Sequence, residues 1–556
     1  MINSKFFSNE IPFSFRYLLK RQKSTTTAAF VLLIAYILSM GLGLLRDRLL
    51  YAKFYSCCTL KLDVYNAAFR IPDLLFSLLV TGALSAAFIP VFWEYWIKNK
   101  LEAYRLASSV IASLWILFLV IGSLMFIFVY PVCKLIAPGF SPEQLLLMGK
   151  LTRIMLFAQA FFILSNFASG ILQAQKRFLL PAIAPIAYNL SIISGIILFA
   201  DKLGIFAPVL GVILGAFFHF LVQFPSLLFL GFKFVLPKNI FNPGSKKVLK
   251  LMAPRTLALG LGEIESTLPV FLASSLLPGN LSLFYLSQHL YVIPVRLFGI
   301  TLGQAVFPHF SQLWAENQLP SFKRKLVIAL HQVFYLTSFV TVIMLVLRVP
   351  LVRLLFGSKQ FPWVATIITG RLLAFLSPAI LAQAGVQILA RAFYSLQDTK
   401  TTFFVALFSL LINIIISFSG VYLLNWGIYS LAIAISLASL FQFLSLFFIL
   451  LIRVNHFNQE IKINLSFFSK LIIANFFAGF TAWLLMRSLD KWVFDTSRVT
   501  GLLLLSLISF FGALIVYIFS SRLLKIFLFD DIFKFLSGFF KTNSKVKIFK
   551  QSFDIS

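Results

Sequence analysis

Long apolar runs separated by short polar segments fill most of the 556-residue chain. Most runs are about twenty residues or longer, and a helix of that length crosses a hydrocarbon core of about 30 Å. Backbone polar groups need partners inside lipid, so the runs are predicted as helices. The alternation over about ten residues that marks a transmembrane β-barrel is absent from the sequence. The pattern therefore predicts an all-α polytopic membrane protein.

The hydropathy pattern predicts about fourteen transmembrane spans. They lie near 26–50, 64–97, 106–131, 147–174, 180–200, 206–234, 252–277, 282–312, 327–349, 364–396, 401–424, 427–452, 466–487 and 499–521. The first twelve form two sets of six, and the last two form an appended pair.

Landmarks in the first set return in the second set about 220 positions later. Ile71-Pro72 with Gly82 and Pro90 returns as Ile293-Pro294 with Gly303 and Pro308; Ala137 to Phe140 returns near Leu354 to Phe361; and Gln173, Lys176 and Asn189 return as Gln397, Lys400 and Asn413. One such similarity occurs readily by chance, whereas three in the same order indicate duplicated halves. Transporters are commonly built from such repeats, with the substrate site between them.

Composition supports the membrane class, because 60% of residues are hydrophobic and only 12% are charged. The net charge of +30 first suggests nucleic acid as a partner. However, the basic residues concentrate in both tails and in alternate loops, at Lys98, Lys100, Arg105, Lys176, Arg177, Lys246, Lys247, Lys250, Lys323, Arg324 and Lys325. This positive-inside asymmetry predicts cytoplasmic termini and argues against a nucleic-acid role.

The N-terminal part of the sequence shows no cleavable signal peptide. The first apolar run is too long for a cleavable signal peptide and is predicted to stay in the membrane. The basic, Phe-containing tail is predicted to lie along anionic lipids. Cys57, Cys58 and Cys133 have neither metal-ligand spacing nor a disulfide framework, and they are interpreted as bystanders.

Ionisable residues within spans are costly and usually face a partner or a polar cavity. Arg46 and Asp47 end the first span, and Asp63 and Arg70 are near the start of the second. One interpretation is that the arginines extend to the lipid headgroups. The other is a charged cavity wall, in which Asp47 holds an arginine that faces an anionic substrate.

The seventh and eighth spans carry a second set of polar candidates. Arg255 follows Pro254 near a cytoplasmic end, and positive-inside bias alone is a sufficient explanation for it. Glu263 lies just over two turns further along nearly the same helix face, where a carboxylate is paired, protonated or facing water. His289 in the eighth span is a packing residue or takes part in substrate or proton handling.

Asn413 in the eleventh span either bridges helices or takes part in coupling, and it corresponds to Asn189 in the repeat. No motif of a nucleotide-binding loop, zinc protease or nucleophile elbow occurs in the sequence. No enzyme activity, metal or cofactor is therefore predicted.

Seven strings resemble the MurJ/MviN family of bacterial lipid II flippases. They are Gly43 to Asp47, Asp63 with Ala68 to Leu75, Gly82 to Pro90, Ala137 to Phe140, Pro254 to Leu257, Gly299 to Pro308, and Arg391 to Lys400. The last string, Arg-Ala-Phe-Tyr-Ser-Leu-Gln-Asp-Thr-Lys, is the most specific. The resemblance extends from about residue 25 to 455 and is weaker over the last two spans.

The resemblance implies fourteen helices in two pseudo-two-fold-related six-helix lobes around a cavity that opens alternately to cytoplasm and periplasm. Its implied cargo is lipid II, an undecaprenyl-pyrophosphate-linked disaccharide-pentapeptide, and cell-wall synthesis enzymes are further candidate partners. The predicted divisions are a cytoplasmic basic segment at 1–24, an N-lobe at 25–234, a C-lobe at 246–453, helices 13 and 14 with a lipid-tail groove at 465–522, and a basic amphipathic cytoplasmic tail at 523–556.

Candidate roles follow from the residues together with the resemblance. Substrate-binding roles are predicted for Arg46, Asp47, Asp63, Arg70, Arg255 and His289, and coupling roles for Glu263 and Asn413. Several positions depart from the family: Met40, Phe76 and His289 stand where cavity arginines are usual, Gln288 and Val292 where acidic neighbours are usual, and Pro269 where some members have a sodium-binding Asp. These departures predict a cavity that is less cationic than the family norm.

Three classes of function remain open on the sequence. The first hypothesis is a lipid II flippase of the bacterial inner membrane that uses proton binding or membrane potential. The alternatives are an exporter of another polyprenyl-linked oligosaccharide or a drug/ion antiporter of the same superfamily, and a non-transporting scaffold for cell-wall enzymes.

Overall fold

The computed structural model describes residues 25–81, 88–175, 177–230, 242–454 and 458–526, together with Phe232, Phe234 and Ile240. Within these ranges, the side chains of residues 25–31, 33, 81, 253–255, 257, 258 and 458–465 lie outside the described part. So do the predicted cytoplasmic segment at 1–24 and the tail after residue 526. Every regular element in the described ranges is helical, which confirms the all-α prediction.

The chain divides into two compact units. Unit 1 comprises residues 1–283 and 355–363, and unit 2 comprises residues 284–354 and 364–556. The helices that lie in unit 1 are α1 (Thr25–Ala68), α2 (Arg70–Phe76), α3 (Ile89–Lys98), α4 (Lys100–Ile127), α5 (Val129–Ile136), α6 (Pro142–Ala174), α7 (Leu179–Leu203), α8 (Phe206–Leu221), α9 (Phe224–Phe229) and α10 (Pro243–Ala273).

The remaining helices are α11 (Asn280–Pro294), α12 (Thr301–Ala315), α13 (Leu319–Val346), α14 (Arg348–Phe356), α15 (Trp363–Ser395), α16 (Thr399–Phe418), α17 (Tyr429–Arg453), α18 (Asn458–Trp492) and α19 (Val499–Leu523). They lie in unit 2, except that the first turn of α11 and the end of α14 belong to unit 1. Short π-helical segments at Ser77–Thr81 and Val295–Ile300 each follow one of the two Ile-Pro landmarks of the repeat.

Eleven helices or helix pairs in the described ranges are long and apolar enough to cross a membrane. They correspond to eleven of the fourteen predicted spans. The other three predictions, at 26–50, 64–97 and 252–277, include residues or side chains outside the described part. The count of fourteen therefore stays a prediction.

Helix α1 is too long for one span because it contains the first predicted span and the start of the second. Its backbone leaves helical geometry at Cys58, with φ −151° and ψ 44°. The side chain of Asn66 donates to the hydroxyl of Tyr51, fifteen residues earlier, at 3.3 Å. A straight helix would separate those two Cα atoms by about 22 Å. The bend at Cys58 therefore folds the end of α1 back along its own first part.

Each unit has its own apolar core. In unit 1, α3, α4, α6 and α10 contribute buried residues to one cluster that includes Phe92, Leu106, Phe167 and Met252. In unit 2, α13, α15, α17, α18 and α19 form another. Because α10 packs in the unit 1 cluster, it belongs to unit 1, although the repeat predicts α10 as the first helix of the C-lobe. The lobe assignment from the repeat stays a prediction, since contacts and duplication are different criteria.

Helices α7 and α8 pack closely against each other. This packing fixes the position of α7, which contributes to the candidate functional site. A Cβ added to Gly211 of α8 would lie 2.7 Å from the Cα of Ile192 in α7. A Cβ on Gly195 of α7 would lie 2.8 Å from the carbonyl oxygen of Ala207. Small residues allow such close approach between membrane helices, where dispersion contacts replace the hydrophobic effect as the driving force.

Candidate functional site

Arg46 of α1 is the centre of a polar cluster in unit 1. Its Nε and Nη2 donate to Oδ1 of Asp47 at 3.0 and 2.8 Å, and its Nη1 donates to Oδ1 of Asn189 in α7 at 3.3 Å. The side chain of Arg46 is 23% exposed and that of Asp47 is 6% exposed. The structure thus brings Arg46 and Asp47 together as the sequence predicted, with the guanidinium as the more accessible partner.

Asn189 is held in one orientation by its other contacts. Its Nδ2 donates to the carbonyl oxygen and the hydroxyl of Ser39 in α1, at 3.2 and 3.3 Å. The same atom donates to the carbonyl oxygen of Pro185 one turn earlier in α7, at 3.2 Å. Because the amide nitrogen is used by these acceptors, the amide oxygen points to Arg46. The cluster therefore holds the guanidinium from two helices.

A second charged group joins α2 and α10. Nη2 of Arg70 lies 3.3 Å from Oδ2 of Asp73, one turn further along α2, and its Nη1 donates to the carbonyl oxygen of Ser266 in α10 at 3.3 Å. The hydroxyl of Ser266 donates to Oε2 of Glu263 at 3.4 Å. Asp73 is attracted by Arg70 and repelled by Glu263. The predicted residues Arg70 and Glu263 thus belong to one group, which also contains Asp73.

Asp63 makes different contacts from those predicted for a substrate-binding residue. Its Oδ2 accepts from the backbone N–H of Gly279 at 2.6 Å, and its Oδ1 accepts from the N–H and hydroxyl of Ser282 at 2.9 and 2.5 Å. These donors lie at the beginning of α11, where N–H groups have no partner within the helix. The carboxylate therefore caps α11 from another helix, as an aspartate at the N-cap position would.

Further contacts surround this cap, and we call the residues Tyr51, Tyr55, Asp63, Asn66, Gly279 and Ser282 the α1-kink cluster. Tyr51 donates to the carbonyl oxygen of Ser282 at 2.7 Å, and Asn66 donates to the hydroxyl of Ser282 at 3.0 Å. Gly279 has φ +90°, and a Cβ there would lie 3.0 Å from the hydroxyl oxygen of Tyr55. Residues before and after the bend at Cys58 thus contact the same turn, which precedes α11.

The other predicted site residues are placed separately. The side chain of Arg255 in α10 lies outside the described part. His289 is an exposed residue of α11, and Asn413 is a buried residue of α16; both are in unit 2. Asn413 accepts a hydrogen bond from Ser417 one turn later at 3.1 Å.

Phe76, at a position where the family has an arginine, belongs to an aromatic group in unit 1. Its ring lies 5.8 Å from that of Phe162, which in turn lies 5.3 Å from the ring of Tyr188 and 5.6 Å from that of His219. Tyr188 also interacts electrostatically with Arg46 and Asp73. Through Tyr188 the aromatic group interacts with both charged groups. The expectation that the cavity is less cationic than the family norm stays a prediction.

The most family-specific string, Arg391 to Lys400, has a local structural role at the turn between α15 and α16. Gln397 has φ +59°, and Asp398 caps α16 by accepting from the N–H and hydroxyl of Thr401 at 3.0 and 2.6 Å. Arg453 lies 2.6 Å from Asp398. Burial alone would raise the pKa of Asp398, but the Thr401 hydrogen bonds and the charge of Arg453 hold this pKa below its usual value.

Sequence reasoning missed two members of the charged groups. Asp73 lies within the string Ile71-Pro72-Asp73, and its spacing of three residues from Arg70 on a helix was the available signal. Asn189 was noted only as the repeat counterpart of Asn413. Its contact with Arg46, 143 positions away in the chain, has no signal in a single sequence.

Comparisons with known proteins agree with this fold. The model of the family "Lipid II flippase MurJ" matches residues 57–519. A probable lipid II flippase MurJ of Buchnera aphidicola subsp. Baizongia pistaciae is 31% identical over 423 residues, which cover 75% of this chain and 81% of that protein. Lipid II flippase MurJ of Burkholderia cenocepacia is 28% identical over 427 residues, which cover 74% and 81%.

Solved structures give the same result. Lipid II flippase MurJ in an inward closed conformation matches with a TM-score of 0.74 and 25% identity, covering 90% of this chain and all of that one (100%). An inward-facing MATE family multidrug resistance transporter of the MOP superfamily matches with a TM-score of 0.61 and 15% identity, covering 77% and 98%. The second match shows a shared fold only. Since the family model covers most of the chain, this protein belongs to the MurJ family of lipid II flippases.

Proposed function

We propose that this chain moves lipid II from the cytoplasmic to the periplasmic leaflet of the bacterial inner membrane by alternating access of its two lobes. Membership of the MurJ family supports this cargo over another oligosaccharide lipid or a drug, and transport over a scaffold role. The observation that carries the proposal in the structure is the Arg46 cluster. It presents a partly exposed guanidinium in a predicted span, held by Asp47 and Asn189.

The chemistry of the cargo requires such a group. Moving a pyrophosphate directly through hydrocarbon is prohibitive, because the charged oxygens would lose their water without gaining partners. A guanidinium supplies charge-assisted hydrogen bonds to phosphate oxygens and can hold two of them at once. In this proposal Arg46 binds the pyrophosphate and Asp47 orients the guanidinium. Arg255 supplies a second cation and His289 a further polar contact.

The structure suggests different roles for the other predicted residues. Asp63 anchors the beginning of α11, and its three hydrogen bonds support this role. Glu263 is proposed to couple transport to a proton or to membrane potential, and its position near Asp73 and Arg70 supports this. Asn413 is proposed as a second coupling residue on the strength of its burial in α16 alone.

The proposal includes the surroundings of the protein. Both termini are proposed to lie in the cytoplasm, and the distribution of basic residues supports this orientation. The undecaprenyl tail is proposed to lie along residues 465–522, and the basic tail at 523–556 to bind anionic lipids. Cell-wall synthesis enzymes are proposed as partners that supply and consume the cargo. The chain itself is proposed to catalyse no covalent reaction.

Complementation of a strain depleted of its own flippase tests the proposal, together with an assay of lipid II that is accessible from the periplasm. The wild-type chain is expected to restore growth and accessible lipid II. Arg46→Ala and Arg255→Ala, combined, should abolish both while the protein is still inserted in the membrane. Arg105→Ala is the matched control, because Arg105 forms an exposed ion pair with Glu102 outside the site. Normal transport by the double variant would refute the assigned roles.

A further inference from the structure

Both described arginines of the site already have a carboxylate partner, and the two pairs differ. In the first pair Asp47 is almost buried, contacts Arg46 at 2.8 Å and is the neighbouring residue in the chain. In the second pair Asp73 is 45% exposed, while its partner Arg70 is only 16% exposed, and the closest distance is 3.3 Å. The Arg46 pair is therefore short and enclosed, whereas the Arg70 pair is longer and has its carboxylate on the open side.

The surroundings of Asp73 weaken its hold on Arg70 further. Glu263, which shares Ser266 with this group, repels Asp73. Arg70 is also held by the carbonyl oxygen of Ser266, so the guanidinium keeps one partner when Asp73 moves away. Among the described side chains, this group contains one cation, Arg70, and two carboxylates, Asp73 and Glu263. An anion that approaches Arg70 thus competes with a partly exposed carboxylate that Glu263 repels.

We infer that Asp73 is the exchangeable counter-ion of Arg70. It occupies the guanidinium in the empty protein, is displaced by a phosphate oxygen of the cargo, and returns when the cargo leaves. This inference rests on the proposed function for the identity of the anion. Its consequence is that Asp73 lowers affinity for the anion and accelerates release, since the returning carboxylate replaces the departing phosphate. Asp73 thus favours rapid release of the cargo over tight binding.

Asp73→Asn tests the inference, because it removes the charge and keeps the shape. Binding of inorganic pyrophosphate and of lipid II to the full chain in nanodiscs is measured by calorimetry, and flipping is measured in proteoliposomes. The variant is expected to bind both anions about twofold to fivefold more tightly, because a partly exposed ion pair that competes with the anion is lost. Its maximal flipping rate is expected to fall by a similar factor. A role limited to folding would weaken binding or leave it unchanged.

Two further variants keep the test decisive. Asp73→Glu retains the negative charge and should keep the affinity near that of the wild-type chain. Glu102→Gln breaks an ion pair of the same spacing at an exposed helix end and should change neither affinity nor rate. Unchanged or weaker anion binding by Asp73→Asn, in a chain that flips lipid II, overturns the inference alone. A wild-type chain that binds pyrophosphate without flipping lipid II refutes the proposed function instead, and one that binds no anion refutes both.

Discussion

The cap that Asp63 forms on α11 leads to a quantitative prediction for Asp63→Asn. The best orientation of the new amide keeps its oxygen on Ser282, which supplies two donors. Its NH₂ group then faces the N–H of Gly279, so a donor meets a donor where a carboxylate oxygen lay at 2.6 Å. Gly279 cannot turn away easily, because its φ of +90° is fixed by the turn and Tyr55 lies beside it.

The expected cost follows from the three lost or weakened contacts. A hydrogen bond to a charged group contributes about 1.5–3 kcal/mol, and a buried donor without an acceptor costs about 1–3 kcal/mol. One contact is lost and two become neutral, so we expect a destabilisation of about 3 kcal/mol. For a chain of 556 residues the melting temperature should fall by about 2.5 °C.

Thermal unfolding in detergent, followed through the thiol of Cys133, measures this effect. Cys133 is fully buried in unit 1, so in a Cys57→Ser/Cys58→Ser background a thiol-reactive dye reacts with it only when that unit opens. Asp201→Asn is the matched control, because Asp201 pairs with Lys53 but is 80% exposed. That control should change the melting temperature by less than about 1 °C, since exposed ion pairs contribute little. Equal melting temperatures for the two variants would refute the capping argument.

Three further predictions follow from the packing and the polar contacts. Asn189→Leu should reduce the lipid II flipping rate about tenfold at a nearly unchanged melting temperature, because Arg46 loses its second support; an unchanged rate would contradict this. Gly211→Val should destabilise the protein by about 2 kcal/mol, because its Cβ would lie 2.7 Å from Ile192, whereas Gly41→Ala, which has open space, should not. Asp398→Ala should lose a helix cap worth about 1 kcal/mol. The low pKa of Asp398 makes this contribution complete above about pH 4 and lost as pH falls through the folded pKa, so the difference between wild-type and variant melting temperatures should shrink as pH falls below about 4; a constant difference would contradict it.

The helices were predictable from the sequence because lipid imposes one solution on long apolar runs. Backbone hydrogen bonds must close within each helix, and hydropathy alone reports where this happens. The pairing of Arg46 with Asp47 was one of two interpretations of the sequence, because adjacent residues on a helix do not usually face each other. Local rules also identify Asp398 as a helix cap before Thr399.

Lateral contacts between helices were not predictable, because they depend on shape and on single polar atoms. Arg70 donates to the carbonyl oxygen of Ser266, an atom that every residue has, 196 positions away. The placement of α10 in unit 1 depends on how Met252 and its neighbours pack, and the repeat gives no information on this. Asp63 was predicted as a substrate residue from resemblance, whereas its partners are backbone groups whose positions only the folded chain defines.

The pairing of both arginines has a consequence for voltage. A membrane potential does about 2.3 kcal/mol of work per 100 mV on each elementary charge that crosses it. Arg46 with Asp47, and Arg70 with Asp73, are each neutral as a pair, so a pair that moves as one body transfers no charge through the field. Once a phosphate has displaced Asp73, the field acts on the bound anion and on the released carboxylate. In the proposed cycle, these two ion pairs therefore add little electrical work to the return of the empty protein.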